Sequence, residues 1–499
     1  MSIGDPTRIP VIIGTGQIND RPATGAEGLD PVQLIAAAAR KADADGGGNL
    51  LARCDWLGLV NQIGFAELDG RLVELVGEAL CIAPRTARET PQPTGDSPVL
   101  LLNDAANAIG RGQATAALIA GAEALRTAGM RRKEMAATGQ QGPYPKRVPV
   151  DPEPRHLYGL DTPTDVYPLF ENAARSNFGQ SFDEAQGESG LLWAGMSQIA
   201  ADNPNAWLRK PLAPNDIVEA TADNRPIAFP YTKFQVANAA VNQGAAVIVT
   251  SLAVARDIGV PDAHLIYVGQ GAAAHEADDP LMRPDYGFSV SMDVSIKKAL
   301  ELNDLTASQI DLFELYSCFP IVPKLARRIL GIEAEMPITQ FGGLTFGGGP
   351  IGNYMTHAIA SMVDTLRREG TNALLFANGG YATHNHTIVL TRTPQPAGTF
   401  PQDFDCQAKA DARRGTVPAI DIHRTGAGQL ETYTVLFERD GSPKTGVVIA
   451  RMDNDTRTLA AIPASDEPAI ARLLTGDPDM IGAGGQVTRS GDRNVWRFD

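Results

Sequence analysis

The fold of this chain is decided by a glycine-rich stretch, GGLTFGGGPIG, at residues 342–352. Three consecutive glycines at 347–349 carry no side chain, so a ligand or another segment of backbone can approach closely. A phosphate-binding P-loop is excluded, because the Lys-Ser/Thr pair that such a loop needs is absent. A second loop, ELYSCFP at residues 314–320, precedes it, and together the two segments predict a ligand pocket.

The composition describes a globular chain with more than one core. At 499 residues it exceeds what one hydrophobic core supports, so we expect two to four domains. A net charge of −15 argues against nucleic acid or an anionic membrane as the main partner, although a small anionic ligand stays open. Residues 1–10 contain no apolar run of signal-peptide length, and no stretch approaches the roughly 18 apolar residues of a membrane helix. We therefore expect a soluble, cytoplasmic protein without membrane insertion.

Cysteine is rare in this chain. The cysteines stand at Cys54, Cys81, Cys318 and Cys406, with no CxxC pair among them. This pattern is typical of reduced thiols in the cytosol rather than of a disulfide framework or a zinc site. Two histidines, His384 and His386, alternate in sequence, but no third ligand accompanies them. We expect no bound metal.

Alternating strand and helix signals indicate an α/β layered domain at the N-terminus. An apolar run at residues 9–16 is closed by glycines, as in a buried strand. A helix opens at Asp30-Pro31, and a strand follows at 55–60. A further helix begins at Ser97, which we expect to be its cap, and leads into a strand at 116–121.

The second half of the chain repeats this pattern. Residues 111–121 and 369–379 share a loop glycine, an apolar strand and a closing glycine. A helix-like run at 355–366 precedes the second copy, as the Ser97 helix precedes the first. Two similar α/β halves account for both observations. Between them, residues from about 126 to 230 are rich in Pro, Asp, Asn and Gly, which predicts a large insertion over the core.

After about residue 402 the pattern becomes that of a small β domain. Its signals are strands at 432–437, 446–452 and 458–462, a helix capped by Ser465, and strands at 487–489 and 495–498. Three strands, a helix and two strands is the order of an OB-like barrel. We therefore expect such a barrel to follow the α/β core.

Taken together, these segments resemble the thiolase superfamily, in particular the sterol-carrier-protein thiolases and thiolase-like proteins that carry an extra C-terminal domain. The ELYSCF segment at 314–319 is similar to the sterol-carrier motif Glu-Leu-His-Asp-Cys-Phe. The glycine stretch is similar to the loop that normally reads Gly-His-Pro, and residues 242–246 are similar to the strand that closes the first half. The resemblance covers roughly residues 8–400. It implies an α/β fold of five αβαβα layers made of two similar halves.

The resemblance also implies a division into domains. We expect the N-terminal thiolase half at residues 1–125 and 231–260, and a loop domain at 126–230 between its two parts. The C-terminal half would occupy residues 261–401. The OB-like domain would follow at 402–499.

The positions of the family's reactive side chains carry other residues in this sequence. The nucleophilic cysteine falls on Gly95, the activating histidine on Gly349, and the second cysteine near Ala377, beside Asn378. The oxyanion-hole His or Asn falls on Tyr316. Acyl-enzyme chemistry needs a thiolate, a base and a proton donor, so the resemblance implies that ordinary thiolase catalysis is lost.

Two further residues of the ELYSCFP motif are candidate site positions. Ser317 and Cys318 follow Tyr316 directly. Cys318 does not restore the mechanism, because its motif position usually holds a small packing residue. We expect it to be a buried, inert thiol.

Coenzyme A or an acyl-CoA is the ligand that the resemblance implies, with no covalently bound cofactor. Arg126, Arg131 and Arg132 open the insertion and could meet the phosphates, or they could form a solvated basic face. Gly347 and Gly348 would let the ligand approach the backbone.

Three functions stay open on the sequence, so the chain's status as an enzyme stays open as well. The first is an acyltransferase of the thiolase family, nominally an acetyl-CoA acetyltransferase, with unorthodox residues or weak activity. The second is a non-catalytic acyl-CoA or lipid-binding protein that keeps the pocket. The third is a retro-aldol lyase that uses tyrosines such as Tyr316 and Tyr381, as in thiolase-like proteins that work with OB-fold partners. All three belong to lipid metabolism, and both a homodimer and a monomer stay open.

Overall fold

The computed structural model describes residues 4–139 and 153–499. Its strands are β1 (Pro10–Asn19), β2 (Trp56–Val60), β3 (Thr86–Glu89), β4 (Ala116–Ala124), β5 (Pro226–Ala228), β6 (Tyr231–Thr232), β7 (Asn242–Ser251), β8 (Ile266–His275), β9 (Leu312–Leu315), β10 (Asn372–Gly379), β11 (His384–Thr391), β12 (Gly426–Phe437), β13 (Pro443–Met452), β14 (Arg457–Pro463), β15 (Gly484–Ser490) and β16 (Arg493–Phe498). Its α-helices are α1 (Pro31–Asp45), α2 (Leu72–Leu80), α3 (Ser97–Gly110), α4 (Leu125–Ala137), α5 (Pro163–Asn177), α6 (Phe182–Asp202), α7 (Pro214–Val218), α8 (Leu252–Asp257), α9 (Val290–Leu302), α10 (Ile321–Leu330), α11 (Tyr354–Leu366), α12 (Gln407–Arg413) and α13 (Glu467–Thr475). Among these described helices, none combines the length and the apolar character that a bilayer crossing requires.

A mixed sheet runs through both halves of the described chain. Its strand order is β3-β2-β4-β7-β1-β8-β11-β10-β9. The order β2-β4-β7-β1 in the first half corresponds to β9-β10-β11-β8 in the second. The halves join where β1 pairs with β8, at Val11–Tyr267 and Ile12–Ile266. Because β4 and β10 hold equivalent places, the predicted repeat is confirmed.

Helices cover both faces of each half. α3 and α11 pack against each other between the halves, and each contacts strands of both. α1 packs on the opposite face of the first half, where Leu34, Ile35 and Ala38 are buried. α9 packs on the outer face of the second half, where its Val294 and Ala272 of β8 belong to one buried apolar cluster. The resulting αβαβα layers confirm the predicted fold.

Close packing of α1 explains two glycines of β1. A Cβ on Gly14 would lie 2.2 Å from the main-chain oxygen of Ala42, and one on Gly16 would lie 2.1 Å from that of Ala38. Side chains at these positions would push the helix away from the strand. Most of β1 is buried, since both faces of the sheet are covered.

Two predicted helix caps are wrong by one residue. Ser97 is the first residue of α3, and the capping position belongs to Asp96, whose side chain makes no capping bond. In α13 the Asp466 carboxylate accepts from the backbone N–H of Ala469, so Asp466 rather than Ser465 is the cap. In both cases the neighbouring aspartate takes the place assigned to a serine.

A buried ion pair ties the inserted segment to the second half. The Lys324 ammonium on α10 lies 2.6 Å from the Glu171 carboxylate on α5, and both side chains are almost fully buried. Tyr231 donates to the other oxygen of Glu171 at 2.8 Å, and Lys324 also donates to the main-chain oxygen of Ala185 at 2.9 Å. Extra hydrogen bonds of this kind offset the cost of burying two charges.

The C-terminal strands form a closed barrel. β12 pairs with both β13 and β15, and the ring closes in the order β12-β13-β14-β16-β15. β14 and β16 are parallel, and α13 lies between β14 and β15 in the chain. This is the OB arrangement, so the predicted barrel is confirmed. The barrel also pairs with the insertion, at Leu436 of β12 and Ala228 of β5.

Candidate functional site

A cavity of about 450 Å³ lies beside the starts of α3 and α11. Five of the residues singled out in the sequence line it, namely Gly95, Tyr316, Cys318, Gly349 and Asn378. The rest of its described lining is formed by Ile63, Gln92, Pro93, Thr94, Pro163, Thr164, Tyr167, Ala237, Ala239, Phe319, Leu344, Ile351, Gly379 and Gly380. Segments far apart in the sequence therefore converge on one space.

The topology explains why these segments meet. β9 and β10 are parallel neighbours, so Tyr316 and Asn378, at or just beyond their C-terminal ends, lie at the same edge of the sheet. Gly95 and Gly349 come shortly before α3 and α11, which lie side by side between the halves. The edge of the sheet and the beginnings of the two central helices thus enclose the cavity.

The space at residue 95 is filled by its neighbours. A Cβ on Gly95 would lie 2.1 Å from the main-chain oxygen of Asn378 and 2.3 Å from the Tyr316 hydroxyl oxygen. Real Cβ atoms do not come so close to other atoms, so no side chain fits at residue 95 in this arrangement. The residue predicted at the family's nucleophile position is therefore confined to glycine by packing.

Tyr316 brings a phenol to the cavity wall. Its side chain is 5% exposed, and its ring stands edge-on to that of Tyr354, with 5.5 Å between the ring centres. No hydrogen bond joins its hydroxyl to another described residue. Burial raises the pKa of this phenol well above its ordinary value, so it carries its proton at neutral pH. Chemically, it can donate a hydrogen bond or a proton to a ligand.

Asn378 is held by a hydrogen-bonded chain. Its side-chain oxygen lies 3.0 Å from the Tyr167 hydroxyl, and its amide nitrogen donates to the Asn385 side-chain oxygen at 2.9 Å. The Tyr167 hydroxyl also accepts from the backbone N–H of Ala382 at 2.8 Å. The Tyr167 ring stacks on Phe319 at 4.3 Å between centres. Asn378 is therefore fixed in orientation at the cavity edge.

Ser317 and Cys318 differ in their position relative to the cavity. The Ser317 hydroxyl is fully buried and accepts a hydrogen bond from the backbone N–H of Leu344 at 3.2 Å. This hydrogen bond helps to fix the backbone of the glycine stretch. Cys318 does line the cavity. Burial raises the pKa of its thiol to about 12, which leaves very little nucleophilic thiolate at neutral pH.

The glycine stretch divides into a packed part and a lining part. Gly348 has a φ of 111°, and a Cβ there would lie 2.1 Å from the Gln243 side-chain oxygen. The Gly347 main-chain oxygen accepts from the Gln243 amide and from the backbone N–H of Trp207, each at 2.9 Å. Gly347 and Gly348 are thus packed against protein and are absent from the described lining, unlike Gly349. A Cβ on Gly349 would lie no closer than 3.3 Å to any atom outside its chain neighbours.

Glu314 is a structural residue that the sequence did not single out on its own. This fully buried carboxylate accepts from the Tyr354 hydroxyl at 2.6 Å, from Thr339 at 3.0 Å and from the backbone N–H of Gln340 at 2.8 Å. Thr339 in turn accepts from the backbone N–H of Gly342 at 2.9 Å. Burial raises the pKa of Glu314 to about 7. A glutamate within an otherwise apolar strand was the signal that could have revealed it.

The three arginines lie away from the described cavity wall. Arg126 and Arg132 are exposed. Arg131 donates to the main-chain oxygens of Gly25 at 2.9 Å and Gly28 at 3.1 Å, which ties α4 to the loop after β1. Within the described lining of the cavity no side chain carries a charge. Contact between these arginines and phosphates stays a prediction.

The remaining sequence candidates are buried in strands. Ala377 is fully buried on β10, opposite His386 on β11, and is absent from the described lining. The ring Nε2 of His386 lies 2.6 Å from the Asn103 amide nitrogen, and burial lowers the pKa of His386 to about 4. His386 is therefore neutral and hydrogen-bonded. In residues 4–139 and 153–499, no group of three or more His, Cys, Asp or Glu side chains is arranged to hold a metal ion.

Comparison with known families identifies the C-terminal domain. Residues 407–492 match the family described as "Thiolase-like protein type 1 additional C-terminal domain". The crystal structure of a monomeric SCP2-thiolase-like protein type 1 from Mycobacterium smegmatis is similar over nearly the whole chain. It is 29% identical, with a TM-score of 0.83, and the match covers 99% of this chain and 100% of that one.

Two more distant likenesses cover only part of the chain. The Ltp2-ChsH2(DUF35) aldolase structure shares the fold, with a TM-score of 0.59 at 20% identity over 77% of this chain and 98% of that one. An acetyl-CoA acetyltransferase of Schizosaccharomyces pombe is 29% identical over 157 residues. That match covers 30% of this chain and 36% of the yeast protein, so it spans about a third of the relative's length.

Proposed function

Because the chain belongs to the thiolase superfamily and carries the additional domain of type 1 thiolase-like proteins, we propose that it binds CoA or an acyl-CoA in the cavity beside Gly95, with little ordinary thiolase activity. The observation that carries this proposal is the filled space at residue 95, where Tyr316 and Asn378 leave no room for a nucleophile. The fission-yeast relative is named for acetyl-CoA, which supports this class of ligand.

The acyl-enzyme route lacks its participants at the expected positions. A thiolase forms a thioester on a cysteine and needs a base to generate the thiolate. Gly95 and Gly349 offer neither group. Cys318 is a poor substitute, because burial raises the pKa of its thiol to about 12. The rate of thiolysis should therefore be far below that of a thiolase with its cysteines.

The character of the cavity suits the acyl part of such a ligand. Its described lining is mostly apolar, with Ile63, Phe319 and Leu344 among its members, and no described side chain of the lining is charged. The transfer of an uncharged acyl group from water to such a space costs little free energy. The CoA phosphates would need cations outside the cavity, and Arg126 and Arg132 are the exposed residues that we propose for them.

Calorimetric titration with CoA and with an acyl-CoA tests this proposal, followed by an assay for thiolysis of acetoacetyl-CoA. Binding without turnover is the expected result. Turnover at ordinary thiolase rates would contradict the loss of activity. Failure of both ligands to bind would overturn the proposal as a whole.

Two neighbouring alanines offer a matched pair of variants for the titration. Ala239 lines the cavity, whereas Ala240 is exposed and lies outside the described lining. Ala239→Trp should fill the cavity and abolish binding of the acyl-CoA, and Ala240→Trp should leave the affinity unchanged. Equal affinities for the two variants would place the ligand elsewhere on the protein.

A second candidate function, retro-aldol cleavage of a β-hydroxyacyl-CoA, is favoured by the Tyr316 hydroxyl at the cavity wall, which no hydrogen bond joins to another described residue. In this reaction a base takes the proton of the β-hydroxyl, the bond between Cα and Cβ breaks, and the α-carbon receives a proton. The products are a carbonyl compound and a shorter acyl-CoA. Tyr316, protonated at neutral pH, would give the proton to the α-carbon.

Product analysis separates the two candidates. We expect a β-hydroxyacyl-CoA incubated with the protein to release a carbonyl compound only if the lyase hypothesis is right. Tyr316→Phe keeps the ring and removes the hydroxyl, so it should stop such cleavage while leaving binding of the acyl-CoA in place. The absence of cleavage by the wild-type protein leaves ligand binding as the function.

The setting of this function is part of the proposal. An acyl-CoA ligand would place the protein in lipid metabolism, and we assign it to the cytoplasm because its four cysteines are unpaired. The similar M. smegmatis protein is described as monomeric. Light scattering on the purified chain would decide between a monomer and a homodimer.

A further inference from the structure

One wall of the cavity is a short turn between β10 and β11. Gly379, the last residue of β10, and Gly380 of this turn line the cavity. The backbone is left-handed at Gly380, with a φ of 64°, and also at Ala382, with a φ of 55°. A left-handed alanine is unfavourable, so the turn keeps this shape only if its surroundings hold it.

A buried arginine holds the turn from outside the cavity. Arg283 is 3% exposed, and its guanidinium donates to the main-chain oxygen of Tyr381 at 2.7 Å. The same nitrogen lies 3.4 Å from the Thr383 hydroxyl oxygen. The Glu276 carboxylate lies 3.6 Å from the other guanidinium nitrogen, so the charge is paired.

A second buried arginine reaches this place from the C-terminal barrel. Arg457, at the start of β14, is fully buried and donates to the main-chain oxygen of Arg283 at 2.8 Å and to that of Leu281. Its guanidinium is fixed by Glu431 of β12, with N–O distances of 2.6 and 2.8 Å. Charge-assisted pairs of this kind are short and directional. The barrel therefore contacts the segment that carries Arg283.

We infer that Arg457 and Arg283 are positioning residues through which the C-terminal barrel sets the shape of the cavity turn. Two hydrogen-bonded steps link the barrel to the turn, from Arg457 to the backbone of Arg283, and from the Arg283 side chain to Tyr381. The additional domain thus contributes to the cavity without lining it. The expected effect on ligand affinity rests on the proposed function, whereas the effect on the turn itself does not.

Arg175 provides a matched control. It is a buried arginine of α5 that also bridges to the barrel, donating to the main-chain oxygen of Gly476 at 3.0 Å and to Asp479 at 2.9 Å. Its hydrogen bonds lead to the loop after α13 and not to the cavity turn. A change at Arg175 therefore weakens the docking of the barrel without removing the proposed link.

Hydrogen–deuterium exchange on the full chain tests the inference without any ligand. Arg457→Met and Arg283→Met should each speed exchange in the segment 379–385 by about tenfold, and Arg175→Met should not. The double variant should add little to either single change, because both residues act in one path. Exchange in 379–385 that is unchanged in Arg457→Met, or raised equally by Arg175→Met, would overturn the inference.

Conservative variants and ligand titration complete the test. If a methionine variant does not fold, Arg457→Lys and Arg283→Lys replace it, since lysine keeps the charge but lacks the forked donors. In calorimetry with an acyl-CoA, Arg457→Met should raise the dissociation constant about tenfold and Arg175→Met should leave it unchanged. A wild-type protein that binds no acyl-CoA would contradict only the proposed function, because the exchange experiment tests the link from Arg457 through Arg283 to the turn without any ligand.

Discussion

The Tyr316 hydroxyl oxygen lies 2.3 Å from the point where a Cβ of Gly95 would stand, so these two residues share one space. They are brought together by the meeting of the β9 end with the loop before α3. The main-chain oxygen of Asn378 lies 2.1 Å from the same point. A side chain at residue 95 therefore requires both the tyrosine and the strand end to shift.

Adding a methyl group at residue 95 should destabilise the fold. Gly95→Ala is expected to lower the free energy of unfolding by about 1–3 kcal/mol, the usual range for overpacking. In a Tyr316→Ala background the cost of Gly95→Ala should be smaller but not zero, because the Asn378 oxygen stays in place. Urea unfolding of the single and double variants measures both effects.

A matched glycine controls that experiment. Gly129 lies within α4, and a Cβ there would meet no atom within 4 Å. Gly129→Ala should stabilise the protein by up to about 1 kcal/mol, because alanine favours the helix. A Gly95→Ala variant as stable as Gly129→Ala would show that the space at residue 95 is not filled.

Cys318 should react slowly with alkylating reagents. Burial raises the pKa of its thiol to about 12, so the thiolate is scarce at pH 8, whereas Cys81 is exposed. Iodoacetamide labelling followed by peptide mass spectrometry should modify Cys81 first. Cys318→Ser should leave acyl-CoA affinity nearly unchanged. Labelling of Cys318 as fast as Cys81 would indicate an activated thiol and reopen its catalytic role.

Glu314 should make the stability depend on pH in a defined direction. Its pKa is raised by burial from 4.5 to about 7, so the folded state holds a proton that the unfolded state releases. Its contribution is complete below about pH 4.5 and is lost as the pH rises to about 7. The loss is on the order of 3 kcal/mol.

Comparison with Glu314→Gln isolates this effect from other titrating groups. The wild-type protein should lose stability relative to Glu314→Gln between about pH 4.5 and 7, and the difference should be flat above this range. Urea unfolding at several pH values gives the two curves. Parallel curves throughout would contradict the raised pKa.

Breaking the buried ion pair should be costly. Lys324→Met leaves the Glu171 carboxylate buried without its cation, and we expect a loss of about 3–5 kcal/mol. Adding Glu171→Leu should restore much of the stability, although Tyr231 then loses its acceptor. Thermal or urea unfolding measures the series. Arg424→Ala breaks the exposed pair with Asp453 and should cost less than about 1 kcal/mol.

Much of the fold could be predicted because its signals are local. The helix at Asp30-Pro31 and the strand at 55–60 follow from capping and apolar patterns within a few residues. The order of the barrel strands followed from turn and strand signals in the same way. The cap residues were harder, since Asp96 and Ser97 are adjacent and backbone geometry decides between them.

The interior of the candidate site could be predicted only in part. Chain order and motif resemblance indicated Gly95, Tyr316 and Asn378, which line one cavity. That the Tyr316 phenol fills the space at residue 95 depends on distances between segments, which no local pattern encodes. The same holds for the contact between Arg283 and Arg457, which are separated by 174 positions in the sequence.

The uncharged wall of the cavity has a consequence for ionic strength. Attraction between exposed charges is screened beyond about 8 Å at physiological salt, whereas apolar contacts are not weakened in this way. A ligand whose acyl end enters the cavity and whose phosphates meet surface arginines would therefore bind through two contributions with different responses to salt. Raising the salt concentration should weaken the binding of short-chain and long-chain acyl-CoA by the same factor, because it acts only on the phosphate contacts, whereas a longer acyl chain should strengthen binding at every salt concentration. Because the lining is neutral, the dependence of affinity on salt concentration separates the contribution of the phosphates from that of the acyl chain.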